Sequence, residues 1–515
     1  MNGAECLLRT LVASGVDTCF MNPGTSEMQF VAALDGVPEM RPVLCLFEGV
    51  AAGAADGYAR MTGRPAATLL HLGPGLANGL SNFHNAKKAR SPVVSIVGQH
   101  STAHLRHDAP LTADIEAIAR PMSAWVRTVE RVEDIGLDTA DAIQVARMMR
   151  GVATLIVPAD FSWSEAGAPG AARSGDSFTL LGRGAVREIV SILQSGEPAA
   201  LLLGGRTLAA HALESAAKVS SRFGARILGN RYGARYVRGG GRAAPARLPY
   251  FPEPAEAALA GLKHLILVES APPVAFFGYP GRRSLLAPED CAIHVLASPD
   301  DDGSAALHAL ARECGVDGEA TPAANLPMPE WPASGPLTLD AIGRAMAHLL
   351  PEKAIVAEEA VSSGEPILRH LAAAAVHDHL PVTGGSIGQG LPVAVGAAIA
   401  CPERKVIALE ADGSGLYTPQ ALWTMAREHL DVTVVILSNR RYRILDIEME
   451  RTGGKSMGPR ANDMVDLTRP AIDWVKLAEG LGVEAKRATT VDAFVQAFRE
   501  GVAREGPVLI ELVVE

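Results

Sequence analysis

KVIALEADGSG at residues 405–415 and VTVVILSNRR at residues 432–441 decide the fold. Each is a short apolar run that stops at a polar turn, and Asp412 and Asn439 lie 439 − 412 = 27 residues apart. The interval has room for one helix, Pro419 to His429. Strand, helix, strand over that distance is a right-handed crossover between parallel strands. It sets both strand ends on the carboxyl edge of a sheet, where open α/β sheets bind ligands. At that edge Asp412 offers a carboxylate, Asn439 an amide oxygen and the turn that follows a backbone carbonyl. Hard oxygen donors with open positions suit Mg²⁺, which fills its shell with water and phosphate oxygens. Gly413 allows close backbone approach to a phosphate. Ser414 adds a hydroxyl near a helix start, where the dipole favours an anion. Taken alone, an Asp-Gly turn followed by an unrelated Asn would look the same.

Outward from there the same alternation recurs. Apolar runs at Ala354–Ala357 and Val508–Val513 complete a third unit, residues 336–515. Runs at Thr18–Met21, Pro42–Leu46, Ala67–Leu70, Val93–Val97 and Ala153–Val157 define a first unit, 1–165. Runs at Ala199–Leu203, Ala225–Leu228, His264–Val268 and Ala292–Leu296 define a middle unit, 181–320, beginning near Leu181. Two breaks separate the units: Ala166–Ser177, rich in Gly, Ala, Pro and Ser, and Glu319–Gly335, with four prolines. The expected fold class is α/β, three consecutive parallel-sheet domains with helices on both faces.

Bulk composition excludes several classes. The 515 residues carry a net charge of -10, and basic residues form only short patches such as Lys87, Lys88 and Arg90, so no nucleic-acid face is expected. Six scattered cysteines form no C-x-x-C pair, which argues against a zinc site and a disulfide framework. The N-terminus MNGAECLLRTL lacks a basic start and a long apolar core. No uncharged apolar stretch is long enough to span a membrane. A reducing, cytoplasmic location is expected.

Three motifs resemble those of one family. Asp412-Gly413-Ser414 through Asn439 resembles the G-D-G…N-N signature of thiamine-diphosphate enzymes, with Ala411 and Ser438 as departures. Gly384-Gly385-Ser386-Ile387-Gly388-Gln389-Gly390-Leu391-Pro392 resembles the family's G-x-φ-G-x-x-L-P segment. Phe47-Glu48 to Ala55-Asp56-Gly57-Tyr58-Ala59-Arg60 closely resembles its E-x-x-A-x-x-A-D-G-Y-A-R helix. The resemblance covers essentially the whole chain and is strongest to acetolactate synthases and benzoylformate decarboxylase. It implies thiamine diphosphate and Mg²⁺ as cofactors. Asp412, Asn439 and the backbone oxygen of Arg441 would be the metal ligands. Ile387 would be the wedge that bends the cofactor, with Gly385, Ser386, Gly413 and Ser414 beside it. Glu48 would share a proton with the aminopyrimidine ring.

On the substrate side, Asn22-Pro23-Gly24-Thr25-Ser26-Glu27 resembles a loop of benzoylformate decarboxylase in which Thr25 matches the substrate-contacting position, and His71 falls where that enzyme has a catalytic histidine. Histidine suits proton transfer near neutral pH. Its second histidine is missing: Ala275-Phe276-Phe277-Gly278-Tyr279-Pro280 contains none. Phe276, Phe277 and Tyr279 either line an apolar pocket or pack the middle unit. His100, His104 and His107 read as a polar loop rim rather than a metal cluster. Gly204-Gly205-Arg206 is a weak nucleotide hint, so FAD is not expected. The expected activity is decarboxylation and/or carboligation of a 2-oxo acid, acetolactate synthase-like, with an aldehyde or second 2-oxo acid as acceptor. The alternatives are a simple decarboxylase, a non-catalytic cofactor-binding homologue, and a nicotinamide oxidoreductase, for which the fingerprint is absent. The family resemblance implies a homodimer or homotetramer with sites between chains.

Overall fold

The computed structural model describes residues 1–173, 183–243, 245–324, 326–454 and 457–514. Leu181 and the last four residues of the Ala166–Ser177 break lie outside them.

Three sheets run along the chain. The first is wholly parallel, ordered Arg41–Leu44, Thr18–Asn22, Ala66–Leu70, Val93–Gln99, Val152–Pro158, Trp125–Thr128. The middle one is parallel, ordered Ala246–Arg247, Arg226–Gly229, Ala199–Leu203, His264–Val268, Ala292–Ala297. The third is ordered Glu484–Ala488, Val508–Val513, Val432–Ser438, Val406–Ala411, Ala354–Glu359, His377–Pro381, Tyr236–Arg238. Its last strand belongs in sequence to the middle unit and pairs antiparallel, His379 with Tyr236. The sequence pattern does not reveal this strand, because three residues are too few to show a period.

Side-chain alternation explains why the sheets are covered on both faces. In the third sheet Val406, Ala408, Val434 and Ile436 enter one core, and Ile407, Leu409, Val435 and Leu437 the other. In the first, Phe20, Leu70 and Val97 face the same central core, while Met21, Leu69 and Ile96 face a separate one. The central core therefore lies between two sheets. It is filled by the helices Glu48–Thr62, Leu72–Ala89 and Gly390–Ala400.

Those helices approach closely through small residues. A Cβ on Gly57 would collide with the Val393 backbone, one on Gly396 with Ala54 O, and one on Gly53 would meet Pro392. The crossover helix predicted over Pro419–His429 is Gln420–Arg427. Among the described residues no helix is long and apolar enough to cross a membrane, and all six cysteines are free.

Candidate active site

In the first sheet, four neighbouring strands deliver the chemistry-bearing residues to one carboxyl edge. Thr18–Asn22 leads to Thr25, Arg41–Leu44 to Glu48, Ala66–Leu70 to His71, and Val93–Gln99 to His100. Glu48 opens its helix and is buried at 7% exposure, and its Oε2 accepts from Asn78 Nδ2 at 3.0 Å. A carboxylate at a helix N-terminus is favoured by the dipole. Thr25 starts a 3-10 turn and is exposed.

His71 shows what sequence reasoning missed. Its Nδ1 lies 2.8 Å from Glu27 Oε2 and 3.2 Å from Ser26 Oγ. Glu27 is 4% exposed, takes Gly24 N–H on the same Oε2 at 2.9 Å, and takes the Ser26 hydroxyl on Oε1 at 2.8 Å. An acceptor so fixed keeps a proton on Nδ1 and leaves Nε2 for the open side of the ring. The signal was present as a capping-box spacing, Gly24 to Glu27.

In the third sheet, Asp412 follows Val406–Ala411 and Asn439 follows Val432–Ser438, with Ala411 paired to Leu437. Asp412 is 1% exposed. Its Oδ1 accepts Gly413 N–H at 2.9 Å, and its Oδ2 accepts Arg440 N–H at 2.6 Å and the Ser438 hydroxyl at 3.4 Å. Burial holds its carboxyl above the ordinary range, against the pull of those donors. Among the described residues no Lys, Arg or His pairs with it. A buried carboxylate without a counter-cation fits a hard divalent cation. The Asn439 amide oxygen accepts Arg441 N–H at 2.9 Å and the Arg441 carbonyl accepts Arg443 N–H at 2.9 Å, so each keeps one further lone pair to offer. Ser438, the departing letter, thus contacts the candidate ligand directly.

Other expected contacts resolve differently. Gly413 abuts the Tyr442 ring, so its missing side chain serves packing. The Ser414 hydroxyl is turned to Glu410 Oε1 at 2.5 Å. Ile387 is half-buried and belongs to none of the apolar cores. Asn85 bridges to its loop, donating to Ser386 O at 2.7 Å. Gly385 has φ +76 and packs against Phe276, which clusters with Tyr232, Tyr250 and Phe277.

Below this loop Glu359 accepts N–H groups from Gly388, Gln389 and Gly390. Its strand neighbour Glu410 leaves Oε2 buried and unpartnered. Burial, and for Glu410 also the charge of Glu359, holds both carboxyls above the usual range.

Asp56 and Arg60, the polar letters of the Glu48 helix motif, form a fully buried ion pair at 2.6 Å. Arg60 also donates to Pro381 O at 2.8 Å and Thr383 Oγ1 at 2.9 Å, and Gln389 Nε2 donates to Asp56 at 2.6 Å. They fasten the first unit to the third. The His100 and His104 rings meet edge-on and the His104 and His107 rings at a tilt, and no group of three or more His, Cys, Asp or Glu side chains that could hold a metal occurs among the described residues.

Residues 1–118 match the model of the thiamine pyrophosphate enzyme N-terminal TPP binding domain, and residues 369–512 that of the C-terminal TPP binding domain. The chain is 50% identical over 520 residues to the acetolactate-synthase-large-subunit-type protein IlvX of Mycobacterium tuberculosis, covering 100% of this chain and 99% of that one. It is 29% identical to benzoylformate decarboxylase of Pseudomonas aeruginosa, covering 97% of this chain and 96% of that one. The solved thiamine diphosphate-dependent 4-hydroxybenzoylformate decarboxylase of Rhodococcus jostii superposes with a TM-score of 0.88 at 26% identity, covering 100% of this chain and 99% of that one. On the helix at Glu48, the edge at Asp412 and these full-length likenesses together, the chain belongs to the thiamine pyrophosphate enzyme family.

Proposed function

We propose that the chain is a thiamine diphosphate- and Mg²⁺-dependent enzyme that decarboxylates a 2-oxo acid and can join the product to an acceptor, as an acetolactate synthase does. The observation that carries this reading is Asp412: buried, without a Lys, Arg or His partner among the described residues, and at the same sheet edge as Asn439, which lies one residue beyond its neighbour Ser438. Thiamine diphosphate, when bound, would supply a carbon nucleophile and an electron sink for decarboxylation. Asp412, Asn439 and the Arg441 carbonyl would hold the metal and, through it, the diphosphate. Gly385, Ser386 and Ile387 would line the cofactor's path, with the Gly413 and Ser414 backbone at the helix start. Glu48 would share a proton with the aminopyrimidine nitrogen. His71 moves a proton at Nε2, and Thr25 offers its hydroxyl to the substrate.

The same reading places the domains at 1–165, 181–320 and 336–515. FAD is not expected in this reading. At the switch point of the middle sheet, where a dinucleotide's phosphates would lie, Glu269 already accepts Arg206 N–H at 2.8 Å and Gly303 N–H at 2.9 Å.

The active unit is a homodimer or homotetramer in the cytoplasm. A cleft of about 1480 Å³ lies between the first and middle units, and neither Glu48 nor Asp412 lines it. Leu46, two residues before Glu48, and Leu416 and Tyr417, a few residues after Asp412, are exposed.

A simple benzoylformate-type decarboxylase is the second reading, favoured by the aromatic cluster at Phe276 against Gly385. The test is CO₂ release from pyruvate, longer 2-oxo acids and aryl 2-oxo acids, with and without an aldehyde acceptor, in protein loaded with thiamine diphosphate and Mg²⁺. Glu48→Gln should lower turnover at least about 100-fold; an unchanged rate would sink the assignment. Tight cofactor binding with no CO₂ from any substrate would make the chain a non-catalytic homologue. An active monomer by light scattering would contradict sites between chains.

A further inference from the structure

Release of CO₂ from a 2-oxo acid as an aldehyde consumes a proton, and Ala275–Pro280 offers no histidine for it. The first-sheet edge does. Leu70 pairs with Val97, so His71 stands level with Gly98. Glu27, bonded to His71, packs on Gly98 so closely that any side chain there would collide with its carboxylate. The chain passes from Gly98 into Gln99 and His100, carries His104 and His107, and returns with Ala113 packed against Gly73. This segment therefore starts level with His71 and comes back against Gly73, two residues after it.

Its three imidazoles step outward, with ring centroids 5.4 and 5.7 Å apart, from half-buried His100 to exposed His104 and His107. His100 Nε2 is buried and has no hydrogen-bond partner among the described residues. A buried polar nitrogen left unpaired costs stability, and a partner arriving in the site would relieve it. The charged groups around the segment are Glu27 beside Gly98, Asp160 holding Thr102 at 2.6 Å, Arg106 donating to His107 at 3.3 Å, and its own Asp108 and Asp114.

Resting on the function proposed above, we infer that His100 is the site's second proton-transfer residue, fed from solvent by His104 and His107. The C1–C2 bond of the 2-oxo acid breaks and CO₂ leaves. Protonated His100 gives the proton on Nε2 to the former carbonyl carbon, the aldehyde departs, and the neutral ring regains a proton from water past His104 and His107.

The test compares wild type, His100→Gln, His100→Asn and the double variant His104→Gln/His107→Gln, each loaded with thiamine diphosphate and Mg²⁺. CO₂ and aldehyde are measured from pyruvate and from benzoylformate, with and without 2,6-dichlorophenolindophenol. That dye takes two electrons and two protons, water supplies an oxygen, and a carboxylic acid replaces the aldehyde, so the dye route needs no proton at carbon. His100→Gln should lose at least about 100-fold in aldehyde release, yet keep dye-linked CO₂ release within about threefold of wild type. Equal loss in both assays, or no loss in either, would overturn the role. A second readout needs no turnover: in cofactor-free protein labelled with ¹⁵N-histidine, His71→Gln should move the His100 ring resonances, and unmoved resonances would overturn the placement. Absence of CO₂ from wild type in both assays would overturn the proposed function and this role together. CO₂ from wild type with unaffected His100 variants would overturn this role alone.

Discussion

The two carboxyl edges that carry the candidate chemistry are built in opposite ways. At the first, Glu48 is followed by a long motif whose polar letters do no chemistry. Asp56 and Arg60 are buried 4 residues apart and fasten the helix to Pro381, Thr383 and Gln389 of the third unit. At the third edge the supports of Asp412 are all local: Gly413, Ser438 and Arg440. The specificity of a motif is therefore no measure of its catalytic content. The Glu48 motif is diagnostic because a helix pressed between two sheets tolerates few substitutions. The Asp412 motif can lose two letters because its geometry comes from paired strands and backbone N–H groups.

The strongest way to break this contrast is Asp56→Ala. It strands Arg60 as a buried unpaired cation, so denaturant unfolding should show a loss of roughly 3–5 kcal/mol; a loss below about 1 kcal/mol would remove the distinction. Gly57→Ala pushes a methyl into the Val393 backbone and should cost about 1–3 kcal/mol in the same assay while leaving Mg²⁺ affinity unchanged.

The Glu359–Glu410 pair sharpens the picture at the third edge. Both are acids whose folded values are raised, so the stability they allow is full in acid and is lost as pH rises from the ordinary carboxyl range toward those raised values. Glu410→Gln in cofactor-free protein should flatten that fall in a series of unfolding curves; a parallel pH profile would mean that Glu410 does not set it. The smallest expected effect is Ser438→Ala, which removes one long hydrogen bond and should weaken Mg²⁺ half-saturation about tenfold, while Ser438→Asn should change it by less than about threefold.

Much of this was legible in the sequence, for reasons tied to particular residues. Central strands such as Val432–Ser438 are buried on both faces and read as unbroken apolar runs. Edge strands do not: Glu484–Ala488 is largely exposed and reads EAKRA, and Trp125–Thr128 closes the first sheet. His377–Pro381 is entirely buried yet reads HDHLP. Its Asp378 is satisfied by Arg235 and Arg404 from distant segments, a pairing no local pattern encodes. At the site, motif letters located Glu48, His71, Asp412 and Asn439. Glu27 and the return of the His100 loop over Gly73 depend on contacts between strands, which a linear pattern does not carry.

The strand Tyr236–Arg238 has a consequence for synthesis. It leaves the ribosome well before the strand it pairs with among the described residues, since His379 follows Tyr236 by 379 − 236 = 143 residues. At about 5–20 residues per second, the nascent middle unit waits roughly 7–30 s with that edge unpaired. Its arginine-bearing termini, Arg235 and Arg238, keep the waiting segment charged. A charged edge is poorly suited to pairing with a neighbouring nascent chain. The order of translation thus makes the third sheet the last to close, and closing it locks the middle unit in place.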